Sequence, residues 1–258
     1  MKKRLLFVLL LSSLALVSCG ESNLSDSSNN SASASVPSES ASVFPSDSAS
    51  ASASSRKEEL TKEQLLSYLD NQKEFYNVRK DISVKKDNVT YYSYLGRDML
   101  YLNGDTKIYS TSATVTKISD LSINTDTTST YFSIYKTPTE TYTLNASSGK
   151  YAVKSENNRD CFTPFTISYD FSKATAFTFT STSSESKIKG SIDSSSLSSF
   201  LKSDKLDSVS DFTFETSINL VTHEIKTIKF SYTEKGYKIT DNREYSSIQN
   251  VIETPKVS

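Results

Sequence analysis

The stretch "DFTFETSINLVTHEIKTIKFSYT", residues 211–233, sets its bulky side chains on alternate positions: Phe212, Phe214, Thr216, Ile218 and Leu220. A period of two is the signature of a strand with one face buried. The pattern breaks at Thr222-His223 and resumes through "EIKTIKF", so the stretch reads as two antiparallel strands meeting at a short turn.

The same texture extends outward from this hairpin. From Asp81 onward the chain is rich in Thr, Ser, Tyr, Phe, Ile and Val. All 15 tyrosines and 11 of the 13 phenylalanines lie after residue 55. Alternation recurs at Phe165, Ile167, Tyr169 and Phe171, which reads as a strand, and again at Phe177 and Phe179. Turn signals at Asn103-Gly104-Asp105, at 145–149 and at Glu234-Lys235-Gly236 separate the runs. About 10–11 short strands with brief connections favour an antiparallel meander.

Two helical segments stand out against this background. Thr61-Lys62-Glu63-Gln64 has the form of a capping box, and Leu65, Leu69, Gln72 and Tyr76 follow at helical spacing, which predicts a helix over about 61–77. A shorter helical insertion is expected at 193–202, where Leu197, Phe200 and Leu201 cluster after a Ser/Asp start.

The N-terminus carries a different message. Lys2, Lys3 and Arg4 precede an apolar run over 5–17, which is the form of a secretory signal and too short to span a bilayer. The run ends Leu16-Val17-Ser18-Cys19 and resembles the bacterial lipobox. That resemblance implies removal of residues 1–18 and lipid attachment to Cys19, with the folded part held outside the cytoplasm at the cell membrane. Two acyl chains on one anchor hold durably where one holds only marginally.

Residues 22–55 are almost entirely Ser, Ala and Asn. Such a tract lacks the apolar surface to offset ordering entropy, and as a flexible coil it spans roughly 30 Å. The expected organisation is therefore a signal peptide (1–18), a lipidated cysteine with its tether (19–55) and one β-rich domain (56–258).

Charge and cysteine content narrow the function. Losing Lys2, Lys3 and Arg4 from 29 basic residues leaves 26 against 30 acidic ones, a net charge near −4. That argues against a nucleic-acid partner, which needs a basic face. With Cys19 lipidated, Cys161 would have no intramolecular partner, and it reads as a small, partly buried side chain at the start of a strand.

The apolar β surface exceeds the helices available to cover it. Several strands are bulky on both parities, as in Tyr91, Tyr92 and Tyr94, or Tyr131, Phe132, Ile134 and Tyr135. The sheet must close, fold over as a sandwich, or curl around the helices and leave a groove.

The order of parts is lipobox, tether, N-terminal helix, long meander, helical insertion, the 211–233 hairpin and a final "EYSSIQNVIETP". It resembles the lipoprotein-carrier half-barrels, the LolA/LppX-like superfamily. The resemblance covers about residues 57–256. It implies a mainly β (α+β) half-barrel, a curled antiparallel sheet wrapping helices around an apolar cavity, and binding of acyl chains or lipidated cargo. It carries over no functional residue.

Catalytic signatures are missing. His223 is the only histidine, and its place at a turn suggests exposure. No G-x-S-x-G, P-loop or dinucleotide fingerprint occurs, and the Ser199/Lys202 Ser-x-x-Lys pattern recurs by chance in a serine-rich chain. Carboxylates are scattered, with no acidic pair assignable to one cleft. The expectation is not an enzyme, with no catalytic residue, cofactor or metal site. It is a membrane-anchored extracytoplasmic lipoprotein holding an apolar ligand or lipid acyl chain in a groove of its curled sheet. The alternative is an envelope structural or interaction module with a filled core. Oligomeric state is not legible.

Overall fold

The structure is a computed structural model that describes residues 60–118, 127–202 and 208–257. The signal peptide (1–18), Cys19 and the tether to residue 55 lie outside the described residues.

Among the described residues eleven strands form a single antiparallel sheet: β1 (Asn77–Lys86), β2 (Val89–Asn103), β3 (Thr106–Ile118), β4 (Thr127–Lys136), β5 (Glu140–Asn145), β6 (Lys150–Ser155), β7 (Ala176–Ser181), β8 (Glu185–Ser191), β9 (Val209–Asn219), β10 (Ile225–Glu234) and β11 (Tyr237–Ser246). Their spatial order is β6-β5-β4-β3-β2-β1-β11-β10-β9-β8-β7. Two runs of hairpins therefore meet where β1 pairs with β11, and the open edges are β6 and β7, neighbours in sequence. The sheet is curled and unclosed, a half-barrel, as expected.

The 211–233 reading holds in detail. β9 and β10 pair antiparallel, with Phe214 opposite Phe230 and Thr216 opposite Ile228, and the register shifts between Ile225 and Thr227 and between Ser231 and Thr233. The turn between them contains His223 at φ 59. Two tight hairpins use residues with positive φ at both central positions, which matches the twist of the flanking strands. One is Lys235 (φ 51) with Gly236 (φ 80); the other, between β1 and β2, is Asp87 (φ 50) with Asn88 (φ 63). The second has no glycine to announce it.

One face of the sheet carries the helices, and it is called the inner face here. Helix α1 (Lys62–Asp70) starts with the capping box: Gln64 N donates to Thr61 Oγ1 at 3.2 Å and Thr61 N donates to Gln64 Oε1 at 2.8 Å. It buries Leu65 and Leu69. The helix stops well short of residue 77. Asn71 caps its end by donating from Nδ2 to Ser67 O at 2.8 Å. Tyr76 already lies outside it and donates its N–H to Ser246 O.

Helix α2 (Leu197–Leu201), preceded by a 3₁₀ turn (Ser194–Ser196), fills the predicted insertion. Its Phe200 sits among Phe171, Phe212, Phe214 and Phe230 at ring-centroid distances of 5.6, 5.7, 6.0 and 6.1 Å. Offset and edge-on rings at such spacings contribute beyond their buried area. Gly190 makes room for this cluster. A Cβ there would meet the Phe214 ring, and would lie 2.7 Å from Ala176 O.

The reading of 165–171 as a strand is corrected. Phe165 makes one isolated bridge to Phe75, with both N–H to O distances at 2.9 Å, and the segment joins no ladder. Phe165, Ile167 and Tyr169 pack against the core and Phe171 is part of it, while Thr166 and Ser168 are exposed. The alternation is real, but a period of two reports only an extended chain buried on one side. Here that side faces the inner surface of the sheet, and residues 162–170 form a strap across it.

Cys161 also differs from expectation. It closes a 3₁₀ turn (Arg159–Cys161), is buried, and lies 3.7 Å from Lys136 Nζ. It is in the disulfide-bonded state instead of lacking a partner.

Candidate functional site

Between the strap and the inner face lies a cavity of about 320 Å³. Thr163, Pro164, Phe165 and Tyr169 of the strap roof it, and side chains of β1, β2, β9, β10 and β11 form its floor and walls. That volume falls at the small end of the range for ligand sites. A wider depression of about 500 Å³ lies between the β1–β2 and β10–β11 turns. Its lining, including Lys85, Lys86 and Lys238, contains no buried side chain, so it lacks a formed wall.

The cavity is built by strand register. Residues of β1 with even numbers point inward: Val78, Lys80, Ile82 and Val84. Their partners on β11 are Tyr245, Arg243, Asp241 and Ile239, and on β2 they are Asp98, Gly96, Tyr94 and Tyr92. An apolar alternation on β1 is thus interrupted at Lys80, and another on β11 at Asp241 and Arg243.

Those interruptions meet at the floor. Lys80 Nζ pairs with Asp98 Oδ2 at 2.5 Å, with side-chain exposures of 8% and 4%. Arg243 grips Asp241 through Nε at 3.0 Å and Nη2 at 2.6 Å. Its Nη1 donates to Tyr169 Oη of the strap at 3.1 Å. Tyr109 Oη donates to the other oxygen of Asp98 at 3.3 Å. The walls beside these charges are Phe165, Phe212, Phe230, Tyr232 and Tyr245.

Burial alone acts to lower the Arg243 pKa, but Tyr169 and the Asp241 carboxylate outweigh it and hold the guanidinium charged well above its ordinary value. The phenols respond in the other sense. Burial pushes Tyr109 up, helped by the Asp98 charge, and it pushes Tyr232 up, helped by Asp241. Tyr169 and Tyr245 are raised by burial first. The phenols therefore stay protonated and remain hydrogen-bond donors.

The sequence singled out Cys19 as a lipid site, and it lies outside the described residues. His223 is exposed, stacks on Tyr68 at 3.9 Å and stands away from the cavity. The cavity lining contains neither His nor Cys. Asp98 and Asp241, not assignable to one cleft from sequence, line the same one. The signal that points to these residues is a charge falling on the buried parity of a strand.

No known protein family matches the sequence, and no curated protein matches it. Among solved structures the half-barrel is similar to LprF from Mycobacterium bovis, at 9% identity and a TM-score of 0.38, over 74% of this chain and 97% of that one.

Proposed function

We propose that this protein is a membrane-anchored extracytoplasmic lipoprotein that holds an apolar ligand or lipid acyl chain against the inner face of its half-barrel. The observation that carries the binding reading is the cavity of about 320 Å³ under the strap, walled by aromatic rings. Attachment rests on the basic start, the apolar run and the lipobox-like Leu16-Val17-Ser18-Cys19.

Mass spectrometry of the chain recovered from bacterial membranes tests both parts. The denatured mass should show loss of residues 1–18 and a diacylglyceryl adduct. A thioether at Cys19 and a disulfide at Cys161 exclude each other within a chain of two cysteines, so the same mass decides between them. The native mass should show a further, non-covalent lipid. A chain without adduct sinks the anchor, and a ligand-free chain that takes up no fatty acid sinks the binding function.

The second reading, an envelope interaction module, draws on the outer face of β4–β6. There Tyr135, Tyr142 and Val153 stand in one cross-strand row, with exposed Tyr131 nearby. It predicts capture of a protein partner by a chain that carries no lipid in its cavity.

A further inference from the structure

The geometry points to the cavity floor as a receptor for an anionic head, so that the ligand is a single-chain amphiphile ending in a carboxylate or phosphate monoester. This rests on the reading of the cavity as an apolar-chain site and names the class of molecule it takes.

Three observations converge. The first is cost. Two ion pairs lie on the inner face with every side chain at 8% exposure or less. Burying such pairs is often no better for stability than packing apolar residues of similar volume. A purely apolar ligand needs nothing from them, and an apolar floor would serve it better.

The second is unused donor capacity. The Lys80 ammonium has three N–H groups, yet among the described residues its one hydrogen bond runs to Asp98. Asp98 is satisfied on both oxygens, by Lys80 and Tyr109, and Asp241 accepts from Arg243 on both. The spare donors at the floor are therefore the remaining Lys80 N–H groups beside the neutral Tyr232 phenol, and both call for an acceptor.

The third is placement. Lys80 and Arg243 are direct cross-strand partners on β1 and β11. Like charges at such positions repel. Asp98 reaches Lys80 from β2, and Asp241 lies two residues along β11 from Arg243, so each cation has its own carboxylate. An oxyanion seated between the two cations relieves the repulsion and accepts the free N–H groups, and its chain then lies along Phe212, Phe230 and Tyr232. The small volume admits one chain.

The test uses the full chain with Cys19→Ser, so that no attached lipid competes. Displacement of Nile red, an uncharged dye, is measured with dodecanoate, dodecyl phosphate and methyl dodecanoate. The two anions should bind at least about tenfold more tightly than the ester, a difference of roughly 1.4 kcal/mol. Whichever anion binds more tightly identifies the head as carboxylate or phosphate. The double variant Lys80→Met with Asp98→Asn removes the ammonium without stranding a buried carboxylate. Within this variant the two anions should bind no more tightly than methyl dodecanoate, whose affinity for the same variant is the internal reference. Equal affinity for anion and ester in the unaltered floor overturns the head-group assignment and leaves the chain-binding function intact, as does a preference that survives in the double variant. Failure of the dye and all three ligands to bind overturns the chain-binding function itself.

Discussion

Tyr109, Tyr169, Tyr232 and Tyr245 show what burial does to a single side chain on this inner face. Each phenol is raised above its ordinary value, with desolvation the leading cause. An unfolded tyrosine loses its proton at about pH 10. The folded state therefore holds these four protons more tightly than the unfolded state does. The sign follows: their contribution is fully present below about pH 10 and is lost as pH rises from there towards the folded values. Each phenol steepens the fall by at most about 1.4 kcal/mol per pH unit. Urea midpoints should stay flat with respect to these groups up to about pH 10 and then drop. The phenolate absorbance of these buried tyrosines should appear together with the loss of β circular dichroism. Complete phenolate formation near pH 10 in a chain that is still folded would contradict the assignment.

Elements show where a sequence speaks for itself and where it does not. The start of α1 is local chemistry: Thr61 and Gln64 are three residues apart and bond reciprocally. Thr61→Ala should cost about 1 kcal/mol in urea unfolding, within the usual range for a lost N-cap. A variant as stable as the parent shows that the cap is not used. The end of α1 was not legible, because it is set by distant chain. Gln72, at helical spacing in the sequence, instead accepts from Ile225 N at 2.7 Å and donates to His223 O at 3.1 Å. It pins the helix exit to the β9–β10 turn.

The strap was hidden for a related reason. Phe165, Ile167, Tyr169 and Phe171 carry a strand's alternation, but whether an extended segment joins a ladder depends on finding a free edge. Strands β1 and β11 beneath it are already paired on both sides. The eleven-strand meander and the helical insertion were legible because turns and alternation are short-range signals. The cavity floor was not, because Lys80, Asp98, Asp241 and Arg243 come from three strands and meet only through register.

At the scale of the molecule, the two runs of hairpins are unequally loaded. Strands β9 and β10 bury Phe212, Phe214, Ile218, Ile225, Ile228, Phe230 and Tyr232 under α1, α2 and the strap. Strands β5 and β6 contain no buried residue, and β6 is an open edge. Fully burying a large apolar side chain contributes roughly 1.5–3 kcal/mol, so local opening of β5–β6 breaks hydrogen bonds while exposing little, whereas opening β9–β10 dismantles the core.

The chain could have closed the barrel by pairing β6 with β7. It instead sends the intervening segment across the inner face, which fills the loaded half and leaves the other half to its ladder alone. Native-state hydrogen exchange should therefore split the sheet. Amides of β9 and β10 should exchange only through global unfolding, and those of β5 and β6 at least about a hundredfold faster, roughly 2.8 kcal/mol lower in opening free energy. Addition of a ligand that bridges the strap and the floor should slow exchange at Phe165 N–H and in β1 and β11, and leave β5–β6 unchanged. Uniform protection across all eleven strands would mean that the sheet opens as one unit and that the strap does not divide it.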